Sequence, residues 1–230
     1  MCVPRVYSRA VISVPPPPFD PAQARVALPS VRDRAYFNAG TFGPVPVDSA
    51  EAMRAHAQRS VELGRIGTEG FRLWMDLIAQ ARAGFATTLG CAESEIALMH
   101  CTTDAVNTVV WGLSWNAGDE VVTTTAEHPG LTAPLEALAA RFGVTIRAVA
   151  PTLAAVTEAL SARTRLVALS HVLWTDGTVL DVAAIARAAH AYGARVLVDG
   201  AQSASAAVGA PWRGADERRG HAKGGRGRFA

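Results

Sequence analysis

Four short stretches of this 230-residue chain carry side chains able to hold a small charged ligand. Thr102-Thr103-Asp104 offers hydroxyls at a helix start, where free backbone N–H groups also suit an anion such as a phosphate. Within Thr125-Ala126-Glu127-His128-Pro129, His128 could lie over a flat ligand or carry a proton. Ser170-His171-Val172-Leu173-Trp174-Thr175-Asp176-Gly177 follows a strand pattern. Asp199-Gly200-Ala201-Gln202 puts a carboxylate at the end of an apolar strand, where desolvation calls for a cationic or hydrogen-bonding partner. Each stretch has an ordinary alternative: capping threonines, a loop histidine, a turn closed by Asp-Gly, or an aspartate capping the next helix. Four such groups on one sheet edge are harder to read as four independent caps.

The elements that position them alternate. Helical patterns run over Asp48 to Leu63 and Thr68 to Leu89; in the second, Phe71, Trp74, Leu77, Ile78, Ala81 and Phe85 recur at three- and four-residue steps. Strand patterns are expected at Glu95–His100, Glu120–Thr125, Val144–Val149, Arg165–Ser170 and Arg195–Asp199. Helices are expected between them at Thr103–Leu113, Leu131–Phe142, Leu153–Leu160 and Val182–Tyr192. This is the pattern of an α/β fold with a mostly parallel (mixed) sheet sandwiched by helices. The ligand edge of such a sheet lies beyond the carboxyl ends of its strands, where all four stretches fall.

Composition narrows the class. Half of the residues are apolar and 18% are charged, enough to bury a core. No run reaches the ~18 consecutive apolar residues of a membrane helix. Cys2, Cys91 and Cys101 stand at unrelated spacings, giving neither a disulfide framework nor a metal cluster, so reduced thiols and a cytoplasmic location are expected. The expected organisation is a Pro-rich leader (1–18), an N-terminal segment (19–65), a large domain (66–208) and a basic Gly/Arg-rich tail (209–230) that reads as disordered. The tail from Pro211 holds five Arg and one Lys against Asp216 and Glu217. It lacks interleaved aromatics and a nucleic-acid-binding fold, so a nucleic-acid partner is not expected. A nicotinamide enzyme is also disfavoured, because no strand is followed by G-x-G-x-x-G.

Read together and in order, the loop Asn38-Ala39-Gly40-Thr41, Thr102-Thr103-Asp104-Ala105-Val106-Asn107, Glu127-His128-Pro129, Ser170-His171-Val172 and Val198-Asp199-Gly200-Ala201-Gln202 resemble the class V aminotransferases and cysteine desulfurases. These are pyridoxal-phosphate enzymes of the aspartate-aminotransferase fold, and Phe37 to Gly43 is most similar to the isopenicillin-epimerase-like branch. The resemblance runs from Phe19 to Val208. It implies that residues 19–65 contribute to a small domain and an active-site loop, and that 66–208 are part of the cofactor-binding large domain. Thr102 and Thr103 would hold the phosphate, His128 would stack on the pyridine ring, and Asp199 would pair with the protonated ring nitrogen. Gln202 would hydrogen-bond the phenolic oxygen, and Asn38, Ala39, Gly40 and Thr41 would border an amino-acid or amine substrate. A homodimer is also implied.

Two departures from the family pattern accompany the resemblance. Desulfurases commonly carry Asn after Ser-His-Val-Ser, whereas here Trp174 follows Leu173, which removes a hydrogen bond to the cofactor. Neither Cys91 nor Cys101 is placed to serve as a desulfurase's catalytic cysteine. The Schiff-base lysine is expected about two dozen residues past the aspartate, after a further strand. Lys223, the only lysine, stands 24 positions past Asp199, but Trp212 to Arg219 is not a strand pattern. The resemblance therefore implies a class V aminotransferase-like enzyme working through a Schiff base. The alternatives are a C-terminally truncated, inactive relative that binds the cofactor weakly at most, and a cysteine desulfurase-like enzyme.

Overall fold

The computed structural model describes residues 20–64 and 66–204. These divide at Gly64 into two compact units.

The first unit holds α1 (Pro21–Ala27) and α2 (Val47–Leu63). Asp20 caps α1 by accepting from the Ala22 N–H, and α2 stops at Gly64, whose φ of 67° is the left-handed conformation that ends helices. Between them, Asn38 closes a tight turn. Its carbonyl accepts from the Thr41 N–H (3.1 Å) and the Tyr36 hydroxyl (3.0 Å), and its Oδ1 accepts from the Thr41 hydroxyl (2.8 Å).

The second unit begins with α3 (Gly67–Leu89) and contains a four-stranded sheet. Its strands are β1 (Glu120–Thr124), β2 (Thr145–Val149), β3 (Thr164–Ser170) and β4 (Arg195–Asp199), in the order β2-β1-β3-β4 and all parallel. Helices α4 (Thr102–Gly112), α5 (Pro129–Phe142), α6 (Leu153–Glu158) and α7 (Val182–Ala191) cover both faces. Successive strand residues point to opposite faces, and the core splits accordingly. Val121, Leu166, Ala168 and Leu197 pack with Val106 and Val110 of α4 and Leu131, Leu135 and Leu138 of α5. Val122, Val167, Leu169 and Val196 pack with Val156 of α6 and Ile185, Ala186 and Ala189 of α7. Each fully buried Val or Leu contributes about 1.5–3 kcal/mol of transfer free energy. Double coverage explains why β1 and β3 read as nearly unbroken apolar or β-branched runs.

The chain runs from β1 to β2 on one side and then returns to β3 on the other side of β1. In parallel sheets such a reversal marks where ligands sit, beyond the carboxyl ends of the two strands, here β1 and β3.

One expectation is corrected. Glu95–His100 is not a strand: Glu93–Glu95 forms a 3-10 turn and the following residues have no ladder partner. Alternating apolar residues make a strand only where another strand offers its N–H and C=O groups, so the sheet has four strands among the described residues, not five. Among the described residues the four strands pair in parallel, and an antiparallel bridge, Val172 to Val179, lies outside them. The α3 stripe is not buried in this chain, since Phe71 is 58% and Trp74 47% exposed.

Candidate active site

The segment after β1 turns at His128 into α5, and His128 caps that helix. Its Nδ1 accepts from the Gly130 N–H at 3.0 Å, while its carbonyl accepts from the Leu131 N–H. A ring nitrogen that accepts carries no proton, so in the neutral imidazole the proton sits on Nε2. Thr103, from the first turn of α4, reaches the same point. A Cβ added at Gly130 would lie 2.9 Å from Thr103 Oγ1 and 3.2 Å from His128 Nδ1. The missing side chain of Gly130 thus leaves a small cradle where a hydroxyl and an imidazole converge. Cys101, the N-cap of α4, makes no side-chain cap hydrogen bond, which leaves the first N–H groups of that helix for an anion. Thr102 stands beside Thr103 in that turn.

Asp199 ends β4 and is only 9% exposed. It shares a sheet face with Leu197, which packs against α4 and α5, so its carboxylate lies on the face that Thr103 and His128 serve. Oδ1 accepts from the Ala201 N–H at 2.9 Å. Gln202 lies in the turn that follows, half-buried.

The neighbouring strand ends are tied by a residue whose role the sequence did not reveal. Glu127 is buried and accepts from the Thr124 hydroxyl (2.6 Å), the Ser170 N–H (2.9 Å) and the Ser170 hydroxyl (2.6 Å). Ser170 in turn is the register partner of Asp199, and the His171 N–H donates to the Asp199 carbonyl at 3.0 Å. One carboxylate therefore braces the loop bearing His128 against the strand beside Asp199. The only sequence signal was a glutamate placed next to the candidate histidine.

Two further side chains border this edge. Trp174 meets His128 edge-on, with ring centroids 5.3 Å apart and planes at 81°. His171 is 5% exposed, its Nδ1 has no partner, and burial pushes its pKa below the ordinary histidine value.

Chemically, this edge offers an anion site at the α4 start, an imidazole wall and a fixed carboxylate that favours a cation. Thr102, Thr103, His128, Asp199 and Gln202 all fall in this unit. Asn38, Ala39, Gly40 and Thr41 belong to the first unit, and Lys223 lies outside the described residues. Among the described residues no group of histidine, cysteine and acidic side chains is arranged to hold a metal ion.

Residues 50–208 match the family model described as aminotransferase class-V. The chain belongs to that family. Among class-V relatives, a probable cysteine desulfurase of Methanothermobacter thermautotrophicus is 32% identical over 183 residues, covering 76% of this chain and 46% of the relative. A cysteine desulfurase of Dickeya dadantii is 39% identical over 134 residues, covering 54% of this chain and 32% of that protein. Among solved structures, a mutant of C-DES with glycine covalently linked to its PLP cofactor aligns with a TM-score of 0.74 at 36% identity, covering 78% of this chain and 50% of that one. C-DES in complex with cysteine persulfide, where it is described as a cystine C-S lyase, gives a TM-score of 0.73 at 36% identity, covering 76% and 49%. The chain thus spans about half the length of these structures or less of the curated relatives. Its fold is the α/β fold of these PLP-carrying neighbours.

Proposed function

We propose that this chain carries the cofactor-binding half of a pyridoxal-phosphate enzyme that cleaves the Cβ–S bond of cysteine or its disulfide. The observation that carries the reading is the convergence of Thr103 and His128 over Gly130 on the same sheet face as Asp199. A phosphate ester on a cationic aromatic ring needs this combination: N–H and hydroxyl donors at a helix start, a ring to lie against, and a carboxylate for the ring nitrogen. The residues present fit the group.

The general aminotransferase reading gives way here to the desulfurase-like alternative. Support comes from the cysteine desulfurases at 32% and 39% identity and from C-DES at 36%. Thr102, Thr103 and the α4 amides hold the phosphate. His128 lies against the ring with its proton kept on Nε2 by the Gly130 N–H. Asp199, one oxygen engaged by Ala201, keeps the ring nitrogen protonated. Gln202 donates to the phenolic oxygen. When bound, pyridoxal phosphate supplies an electron sink that lets the Cα proton of an amino acid depart. Lys223, the only lysine, is the candidate for covalent attachment.

The test supplies the full chain with pyridoxal phosphate and either cystine or cysteine, and follows the products. Pyruvate and ammonia with cysteine persulfide from cystine indicate elimination; alanine from cysteine, with an added thiol that takes the sulfur as a persulfide, indicates desulfuration. Either product, lost in Asp199→Ala, supports the reading, and transamination without sulfur release contradicts it. Borohydride reduction followed by peptide mass mapping should place the cofactor on Lys223. No labelled peptide would favour the inert relative.

A further inference from the structure

We propose that Trp174 is a positioning residue that holds the His128 ring in the plane pyridoxal phosphate meets. The inference rests on the cofactor reading above. Trp174 is 51% exposed and belongs to neither apolar cluster of the fold, so packing of the core does not account for so large an apolar side chain. Its one aromatic neighbour among the described residues is His128, met at 81°. Such perpendicular pairs fix the relative orientation of two rings as well as burying area.

The loop that presents Trp174 is braced. Val172 bridges Val179, the Leu173 N–H donates to the Thr178 carbonyl (2.9 Å), and the Gly177 N–H donates to the Leu173 carbonyl (3.0 Å). Asp176 Oδ1 accepts from the Thr178 N–H (2.9 Å), and Gly177 takes a φ of 77° that other residues rarely adopt. Leu173 is buried in the cluster that holds Ile185 and Ala189 of α7 and anchors the loop there. His128 is therefore held twice: Nδ1 by the Gly130 N–H, which sets the ring's rotation, and the ring by the indole.

The experiment titrates pyridoxal phosphate into the full chain, following cofactor absorbance and the quenching of tryptophan emission. It compares the unaltered chain with Trp174→Phe, Trp174→Leu, His128→Gln and the double variant Trp174→Leu/His128→Gln. Trp174→Phe keeps an aromatic edge and should bind within about twofold of the unaltered chain. Trp174→Leu, which adds no hydrogen-bonding group, should weaken binding about two- to tenfold, the range of an aromatic pair. In the His128→Gln background it should add nothing, because the ring it orients is gone. Equal weakening in both backgrounds, or a phenylalanine variant as impaired as the leucine one, overturns the inference alone. A drop in unfolding temperature without coupling to His128 marks a merely structural tryptophan and also overturns it. Failure of the unaltered chain to bind the cofactor overturns it together with the reading it rests on.

Discussion

Glu127 ties the ends of two neighbouring strands together from within the fold. It accepts three hydrogen bonds from uncharged donors on two strands while almost wholly buried. Glu127→Ala would leave the Ser170 N–H and hydroxyl and the Thr124 hydroxyl without their partner, at about 1–3 kcal/mol for each group left unsatisfied. We expect a loss of about 2–4 kcal/mol in denaturant unfolding, with part of the penalty relieved by water entry. His128 and Asp199 stand out in the sequence as candidates because their types suit ligand chemistry. Glu127 was legible only as the neighbour of His128, since its partner Ser170 stands 43 positions away and only sheet formation joins them. The same holds for Trp174, whose contact with His128 crosses from one strand end to the next.

The start of α5 is where an element shapes the candidate site. Pro129 suits the first helical turn, and Gly130 follows because a Cβ there would meet Thr103 Oγ1 at 2.9 Å. Gly130→Ala should therefore weaken pyridoxal-phosphate binding about tenfold or more by pushing Thr103 and His128 apart, a displacement that misplaced binding groups do not tolerate. Helix propensity would favour the alanine by up to about 1 kcal/mol. Unchanged affinity with raised stability would show that the cradle is not used.

Periodicity located β1 to β4 and α4 to α7 to within about two residues, because both faces of the sheet are covered and the apolar runs are unambiguous. It failed at Glu95–His100, where alternation had no neighbour to pair with. On α3 it found an amphipathic stripe correctly but not its exposure. Phe71→Ser should change stability by about 0.5 kcal/mol at most, as exposed sites do, whereas Leu135→Ala in α5 should cost about 2–5 kcal/mol. Paired thermal melts decide this.

Across the whole second unit, acid should act in two steps. His171 is buried neutral, with its pKa lowered from the ordinary 6.5. The unfolded chain then binds a proton that the folded chain resists, so stability is full above about pH 6.5 and falls as pH drops below it. Glu120 is different. The Ser161 hydroxyl, with Arg163 and Arg147 adding, holds its carboxyl below the ordinary 4.5 against the opposing effect of burial. Its contribution is present above pH 4.5 and is lost as pH falls through the lowered value. His171→Gln should flatten the upper step and leave the lower one, as read by denaturant midpoints across pH. Neither residue's setting was legible beforehand, because burial and cross-strand ion pairs exist only in the folded sheet. Among the described residues no helix is long and apolar enough to cross a membrane.

The decisive measurement is the equilibrium binding of pyridoxal phosphate by the full chain and by Asp199→Ala. Saturable binding that weakens more than about tenfold on loss of the carboxylate is expected, since removing one partner of a buried charge pair costs about 2–5 kcal/mol. Binding of equal strength in both, or none in either, would contradict a coenzyme seated between the α4 start, His128 and Asp199.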